Sequence, residues 1–236
     1  MLRIRAVLSG LTFSIVALSG NAGAATIAID VGHFLEQPGA ISARGRTEFE
    51  FNRALALEVE KAVAAQGFKT RLIGADGNMA NLTARTHAAA GTDFFLSLHH
   101  DSVQPQFIET WTVDGTEQHF SDRASGSSFF ISRRNPKLHE SSACASAIGA
   151  EFRAAGFRLT RHHAEAIPGE HKPWADEQNG VHYYDNLIVL KTARIPAVLL
   201  EAGVIVNRDD ELVLLKPETR TRMAEAIAIA LKRCIP

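Results

Sequence analysis

The sequence lacks an excess of charge of either sign. Its 25 lysines and arginines almost balance its 26 aspartates and glutamates, which leaves a net charge of −1 at pH 7. A chain this close to neutrality has no long-range attraction for nucleic acids or for an acidic membrane surface. We therefore expect no nucleic-acid partner.

Cysteine is also scarce, with only Cys144 and Cys234 in the whole chain. Two cysteines this far apart exclude a cysteine-rich zinc site, and two interpretations of them remain open. In an oxidising compartment the pair forms a disulfide; otherwise both are small buried apolar residues. An apolar stripe in the last predicted helix continues to Cys234 and favours its burial in either case.

Long apolar runs are missing except near the N-terminus, where Arg3 and Arg5 precede an apolar stretch and residues 22–24 read Ala-Gly-Ala. This arrangement is typical of a signal peptide. A membrane anchor is the alternative, but the stretch is shorter than the roughly 20 apolar residues that span a bilayer. We expect residues 1–24 to be removed and the protein to be exported, to the periplasm or the extracellular space, without a further transmembrane segment.

Strand and helix patterns alternate along the rest of the chain without an internal repeat. Apolar residues at every fourth position predict a helix over residues 47–66, and the mainly apolar run at 93–99, which shows almost no polar alternation, is typical of a strand covered on both faces. The remaining predictions are strands at 26–30, 68–73, 128–132, 187–190 and 197–201, helices at 79–90, 141–155 and from Pro217 onward, and a polar loop at 168–186. The pattern predicts a single α/β domain with a mostly parallel or mixed β-sheet flanked by helices on both faces.

Three predicted strands end close to residues that can carry chemistry, namely His33, His99 and Glu201. In open α/β sheets, ligands and catalytic groups gather beyond the carboxyl ends of the strands, so these side chains can share one rim. A single histidine in such a place is more often a hydrogen-bonded structural residue. Two histidines together with carboxylates favour a zinc site instead, because imidazole and carboxylate are the ligands of hydrolytic zinc.

Helix phase separates two nearby glutamates. Thr47 and Glu50 have the spacing of a capping box, which accounts for Glu50. At about 100° per residue, Glu48 lies near the apolar stripe that faces the sheet, whereas Glu50 points to the opposite side. A carboxylate directed at the core is costly unless a cation or hydrogen bonds meet it. The alternative explanation for Glu48 is a favourable position at a helix N-terminus.

Glu201 follows four apolar residues. Desolvation at such a position predicts a raised pKa and proton exchange near neutral pH. The alternative is a salt bridge to a nearby arginine. The residues alone leave open which of Glu48 and Glu201 binds the metal and which one handles protons.

Four separated segments resemble, in the same order, the signatures of the zinc-dependent N-acetylmuramoyl-L-alanine amidases, the amidase_3 type of cell-wall hydrolase. They are IAIDVGH with the following PGA, TEFEFNRALA, LTARTHAAAGTDFFLSLHHD and IPAVLLEAGVIVNRDDE, so the resemblance covers nearly all of the mature chain. It implies that His33, Glu48 and His99 bind one Zn²⁺ ion and that Glu201 is catalytic. It also implies that residues 25–236 form a catalytic zinc amidase domain. The substrate would be peptidoglycan, cleaved between the lactyl group of N-acetylmuramic acid and L-alanine.

The chain departs from the family pattern in its first loop. Val31 stands where a proline is usual, and residues 34–35 are Phe-Leu where glycines are usual. We expect this bulkier loop to affect the fit of the substrate more than the binding of zinc. His100 is a rival to His99, although the register of the preceding strand favours His99. Arg85 matches a family arginine that we interpret as structural.

Two other functions remain open, a non-catalytic peptidoglycan-binding module and a zinc carboxypeptidase that acts on the stem peptide. A binding module, however, needs no proton-transferring glutamate. The residues also leave open whether the protein has an activator. In relatives that act at cell division, an inserted helix covers the zinc until a partner displaces it. The apolar face of the helix at 141–155 favours ordinary packing instead.

We expect the aromatic-rich segment at 171–186 to border the substrate groove. Four histidines in this part of the chain are predicted to be surface residues rather than a second metal site. They are His162, His163, His171 and His182.

Overall fold

The computed structural model describes residues 23–235, so residues 1–22 of the predicted signal peptide lie outside the described part of the chain. The strands are β1 (Thr26–Val31), β2 (Lys69–Ile73), β3 (Phe94–Asp101), β4 (Glu109–Val113), β5 (Thr116–Phe120), β6 (Ser128–Ile131), β7 (Trp174–Asp176), β8 (Val181–Tyr183) and β9 (Ala197–Val204). The helices are α1 (Glu48–Ala65), α2 (Leu82–Ala88), α3 (Leu138–Ala154), α4 (Ile188–Thr192), α5 (Arg208–Leu214) and α6 (Pro217–Cys234). None of these helices is long and apolar enough to cross a membrane.

Seven strands form one mixed sheet in the order β2-β1-β3-β9-β6-β8-β7. The strands β2, β1, β3 and β9 run parallel to one another, and β6 pairs with β9 in the antiparallel direction. Consequently β1, β3 and β9 end at the same edge of the sheet, the edge at which His33, His99 and Glu201 are expected to meet. The topology confirms the predicted single α/β domain.

Helices cover both faces of the sheet because its central strands are apolar on each side. Ile29 and Leu96 pack with residues of α1, α3 and α6. Their neighbours Ala28 and Phe95 point the other way and pack with residues of α4 and with Ala89 at the end of α2. Burial on both faces explains why the strand predicted at 93–99 shows no polar alternation.

Helix α1 begins as its capping box predicts. The Thr47 hydroxyl accepts a hydrogen bond from the backbone N–H of Glu50, and the Glu50 carboxylate accepts one from the backbone N–H of Thr47. Glu50 is exposed, whereas Glu48 turns into the protein and is only 4% exposed. The predicted helix phase is therefore confirmed, and the first turn of α1 delivers a carboxylate to the edge of the sheet.

One predicted strand is wrong. Residues 187–190 lead into the short helix α4 rather than forming a strand. Val189 and Leu190 are buried, and a run of so few apolar residues has the same appearance in a buried strand as in a single helical turn. The predicted loop at 168–186 also contains the short strands β7 and β8, and the polar hairpin of β4 and β5 was not predicted from the sequence.

The two cysteines form a disulfide that joins α3 to α6, with their Cα atoms 5.2 Å apart. Helix α3 also packs into the core through Ile148 and Phe152. It therefore behaves as the ordinary packing helix that its apolar face predicts. The disulfide closes a loop of 90 residues.

We expect the double variant Cys144→Ala/Cys234→Ala to lose about 2–5 kcal/mol of unfolding free energy, because the cross-link restricts the unfolded chain. Guanidinium denaturation at pH 7 of the variant and the wild type measures the loss. Wild-type protein held in reductant should unfold at the midpoint of the variant. An unchanged midpoint for the variant would contradict the prediction.

Candidate metal centre

A cleft of about 600 Å³ lies at the carboxyl ends of β1, β3 and β9. Its walls include His33, His99 and Glu201, the three residues at the strand ends. The aromatic-rich segment contributes Lys172 and Tyr184 to the same cleft. That segment therefore borders this cleft.

His33 lies in a loop whose backbone is held by Arg85. The φ angle of His33 is 66°, in the left-handed region that residues other than glycine rarely occupy. The guanidinium of Arg85, which is 1% exposed, donates hydrogen bonds to the carbonyl oxygens of Val31 and His33 and pairs with Asp30 at 2.7 Å. Arg85 thus has the structural role indicated by the sequence, since it fixes the loop that presents His33.

Glu48 lies between the two histidines, and each of its carboxylate oxygens contacts one of them. The distance from His33 Nε2 to Glu48 Oε2 is 3.0 Å, and that from His99 Nδ1 to Glu48 Oε1 is also 3.0 Å. The backbone N–H of Ala40 donates to Oε2 and the side-chain amide of Asn52 donates to Oε1, both at 3.1 Å. These four contacts, together with a fifth from the backbone N–H of His100, fix the orientation of this carboxylate.

Glu48 is held in its ionised form by these contacts. Burial raises the pKa of its carboxyl, but hydrogen bonds and charge from His33 and His99 outweigh burial and keep that pKa well below its usual range. For His33, burial lowers the pKa, and the Glu48 carboxylate more than compensates, so that the pKa is raised overall. The centre thus contains a buried negative charge that favours a bound cation.

The three side chains fit a zinc ion. One potential ligand atom from each lies within 4.8 Å of the other two, and two tetrahedral ligands at about 2.1 Å from zinc are about 3.4 Å apart. Two glycines leave room for these ligands: a Cβ on Gly39 would overlap the Glu48 carboxylate, and a Cβ on Gly32 would overlap the His99 ring. The donor set of two imidazoles and one carboxylate is one that hydrolytic zinc sites use.

Glu201 faces the same cleft from β9, where it is the register partner of His99 on β3. Its Oε2 atom is buried without a hydrogen-bond partner, and within residues 23–235 no arginine forms the salt bridge considered as an alternative. Burial raises the pKa of this carboxyl, and the nearby Asp101 and Glu48 carboxylates raise it further. The direction of the shift is the one predicted, and it suits a group that exchanges protons.

His100 has a different role from His99. Its Nδ1 atom lies 2.8 Å from Asn52 Oδ1, and burial lowers its pKa to about 3. The backbone N–H of His100 donates to Glu48 Oε1 at 3.3 Å. His100 therefore supports Asn52 and Glu48, while the ring of His99 is the one that contacts the carboxylate.

The prediction of surface histidines is wrong for three of the four. His162, His163 and His182 are buried, whereas His171 is exposed. Two of the rings pack against Phe130, at centroid distances of 4.9 Å for His163 and 5.6 Å for His182. The polar composition of this irregular segment concealed their burial.

The buried histidines reveal a group of titratable side chains that sequence reasoning missed. His163 contacts two carboxylates, Asp101 at 2.8 Å and Glu170 at 2.9 Å. Burial lowers the pKa of His163, but the charge and hydrogen bonds of these carboxylates raise it overall to about 9. His162 approaches the same Asp101 oxygen at 3.3 Å. The adjacent pair of histidines was the only signal of this group in the sequence.

Comparison with known proteins identifies related chains. Residues 27–233 match the family model Amidase_3, N-acetylmuramoyl-L-alanine amidase. The solved catalytic domain of CwlV from Bacillus (Paenibacillus) polymyxa var. colistinus is 24% identical, with a TM-score of 0.66, and the match covers 89% of this chain and 97% of that one. Ami1 from Mycobacterium smegmatis is 19% identical, with a TM-score of 0.69 and coverage of 89% and 96%.

CwlD from Clostridioides difficile, solved in complex with the GerS lipoprotein, is 18% identical, with a TM-score of 0.65 and coverage of 89% and 98%. These structures share the fold described above. No curated protein sequence matches the chain significantly.

Proposed function

The chain belongs to the N-acetylmuramoyl-L-alanine amidase family, and from that premise we propose that His33, Glu48 and His99 hold a catalytic zinc ion while Glu201 transfers protons. As a member of this family, the protein is a peptidoglycan hydrolase that cleaves the amide bond between the lactyl group of N-acetylmuramic acid and the L-alanine of the stem peptide. One observation carries the assignment of residues. Both oxygens of the buried Glu48 carboxylate contact an imidazole, beside a cleft that Glu201 also lines.

The ligand residues are supported by groups around them. When bound, zinc supplies a Lewis acid that polarises the amide carbonyl and acidifies a water molecule. Asn52 and the backbone N–H of Ala40 orient Glu48, and Arg85 fixes the loop of His33. Loss of such outer groups typically lowers metal affinity about 10–100-fold.

Glu201 performs the proton transfers in this proposal. Its carboxylate accepts a proton from the water that attacks the carbonyl carbon, and it later gives that proton to the nitrogen of L-alanine as the C–N bond breaks. Because its pKa is raised by burial and by the adjacent carboxylates, Glu201 is a stronger proton acceptor than an exposed glutamate. One water is consumed, Glu201 is regenerated, and the products are a lactyl carboxylate and a stem peptide with a free amine.

Export of the chain completes the proposal. A cell-wall amidase acts outside the cytoplasm, and the disulfide between Cys144 and Cys234 belongs to an oxidising compartment. We therefore propose that residues 1–24 are a signal peptide that is removed on export. The mature protein should begin at Ala25, which N-terminal sequencing checks, and an intact Met1 on exported protein would contradict the proposal.

Digestion of purified peptidoglycan tests the zinc assignment and the reaction together. We expect the mature protein alone to release intact stem peptides with a free L-alanine amine, because α3 packs in the core and contributes no residue to the cleft. A chelator should lower the rate by about 10³-fold or more, since a Lewis acid supplies several kcal/mol of transition-state stabilisation. Added zinc should restore the rate.

Each alternative outcome of this digestion has a distinct meaning. Trimmed stem peptides would indicate a zinc carboxypeptidase, and folded, zinc-loaded protein that releases nothing would indicate a binding module. Full activity in protein that elemental analysis shows to be free of metal would refute the zinc assignment.

A further inference from the structure

We propose that Asp101, His162 and His163 form a second metal site, for a first-row divalent cation such as zinc, on the wall of the same cleft. This site shares no side chain with the centre formed by His33, Glu48 and His99. The amidase reaction described above does not require it.

The three side chains converge on one carboxylate oxygen. Asp101 Oδ2 lies 2.8 Å from His163 Nε2 and 3.3 Å from His162 Nε2, and the three atoms lie within 4.8 Å of one another. Two imidazoles and one carboxylate are a ligand set for first-row divalent cations. Among residues 23–235, only this group and the catalytic one place three such atoms so close together.

Each histidine is held through its other ring nitrogen, as metal-ligating histidines commonly are. His163 Nδ1 lies 2.9 Å from Glu170 Oε2, and His162 Nδ1 lies 2.7 Å from the hydroxyl oxygen of Thr160. These bonds fix both ring orientations and direct each Nε2 atom to Asp101. The two rings are therefore preorganised for binding a metal ion through their Nε2 atoms.

His162 is not satisfied by the contacts within the group. It is only 7% exposed, and its Nε2 atom makes no hydrogen bond although Asp101 lies 3.3 Å away. His163 already bonds to the same oxygen. A cation bound to all three atoms would give the buried His162 nitrogen a partner and would offset the charge of the Asp101 carboxylate, which is only 12% exposed.

The proposed site opens onto the cleft. Asp101 and His163 line it together with His99 and Glu201. Asp101 follows His99 by two residues on β3, and both are half-buried whereas the residue between them is buried. Alternation along a strand places the two side chains on the same face, with their Cα atoms about 7 Å apart.

Zinc stoichiometry tests the proposal. Mature protein is stripped of metal with a chelator, incubated with excess zinc, desalted and analysed for zinc per chain. We expect two zinc ions in the wild type, one in His99→Ala, one in His162→Gln and none in the double variant. His182→Gln is the matched control, because it removes a buried histidine whose Nε2 atom also lacks a partner but which lies outside the group; it should keep two.

A wild type with a single ion that His99→Ala loses and His162→Gln keeps would overturn the proposal and leave a metal-free histidine–aspartate cluster. Two ions in His162→Gln would overturn it as well, because the second ion would then be bound elsewhere. If His162→Gln fails to fold, the second site is tested in His99→Ala alone, by the effect of zinc on the melting temperature of that variant. Saturating zinc should raise its melting temperature by about 5 °C or more, and an unchanged temperature would count against the second site.

Discussion

We expect Glu201→Gln to lower the rate of peptidoglycan hydrolysis by about 10³-fold, within the 10²–10⁴-fold that general acid–base groups contribute, and to leave the zinc content unchanged. Glutamine neither accepts a proton from water nor delivers one to the leaving amine. It has nearly the same shape as glutamate, and the buried Oε2 atom has no hydrogen-bond partner to lose. Initial rates of product release at saturating zinc, with elemental analysis of the same samples, measure both properties.

The control for this variant is Glu117→Gln, which makes the same change at an exposed position on the β4–β5 hairpin. It should keep the wild-type rate. Normal turnover in Glu201→Gln would refute the assignment of Glu201 as the proton-transferring group. Loss of zinc together with activity would show that Glu201 is a ligand instead.

Glu48→Gln should release the catalytic zinc and abolish hydrolysis. The change removes the one negative charge that contacts both histidines and leaves an amide in a pocket shaped for a carboxylate. Because loss of an outer partner alone lowers metal affinity about 10–100-fold, loss of this ligand should lower it by more than about 100-fold. Zinc bound per chain should fall by one, which equilibrium binding against a chromogenic chelator measures.

Glu50→Gln is the matched control for Glu48→Gln, since it makes the same change two residues further along the first turn of α1. Glu50 is exposed and bonds to Thr47 at the helix cap. This variant should keep its zinc and its activity and should lose only about 0.5 kcal/mol of unfolding free energy, because glutamine also completes a capping box and only the negative charge near the helix N-terminus is lost. Equal zinc affinities in the two variants would contradict the argument from helix phase.

The proposed catalytic centre could be anticipated because regular elements place its residues. Parallel strands end at a shared edge, which brings His33, His99 and Glu201 together, and the helical period distinguishes Glu48 from Glu50. What the residues alone did not settle was which glutamate binds metal. In the structure Glu48 contacts two imidazoles, whereas Glu201 contacts none and has a raised pKa.

The group of Asp101, His162 and His163 could not be anticipated in the same way. Asp101 and His163 are 62 residues apart, and the chain between them includes a polar hairpin and irregular segments without a repeating pattern. Local rules fix the direction of a side chain within an element but not the path of a loop. The pairing of Cys144 with Cys234 stayed open for a related reason, since an apolar stripe shows which face of a helix is buried and not which helix covers it.

Gly32 has no functional group, yet it limits which sequences this protein tolerates. Its backbone lies outside the left-handed region, so alanine would suit its conformation, but the ring of His99 fills the volume that a methyl group would need. Mutagenic libraries meant to alter substrate preference therefore have to keep codon 32 fixed while they vary the neighbouring Phe34 and Leu35. A survey of chemically reactive side chains alone would overlook this position.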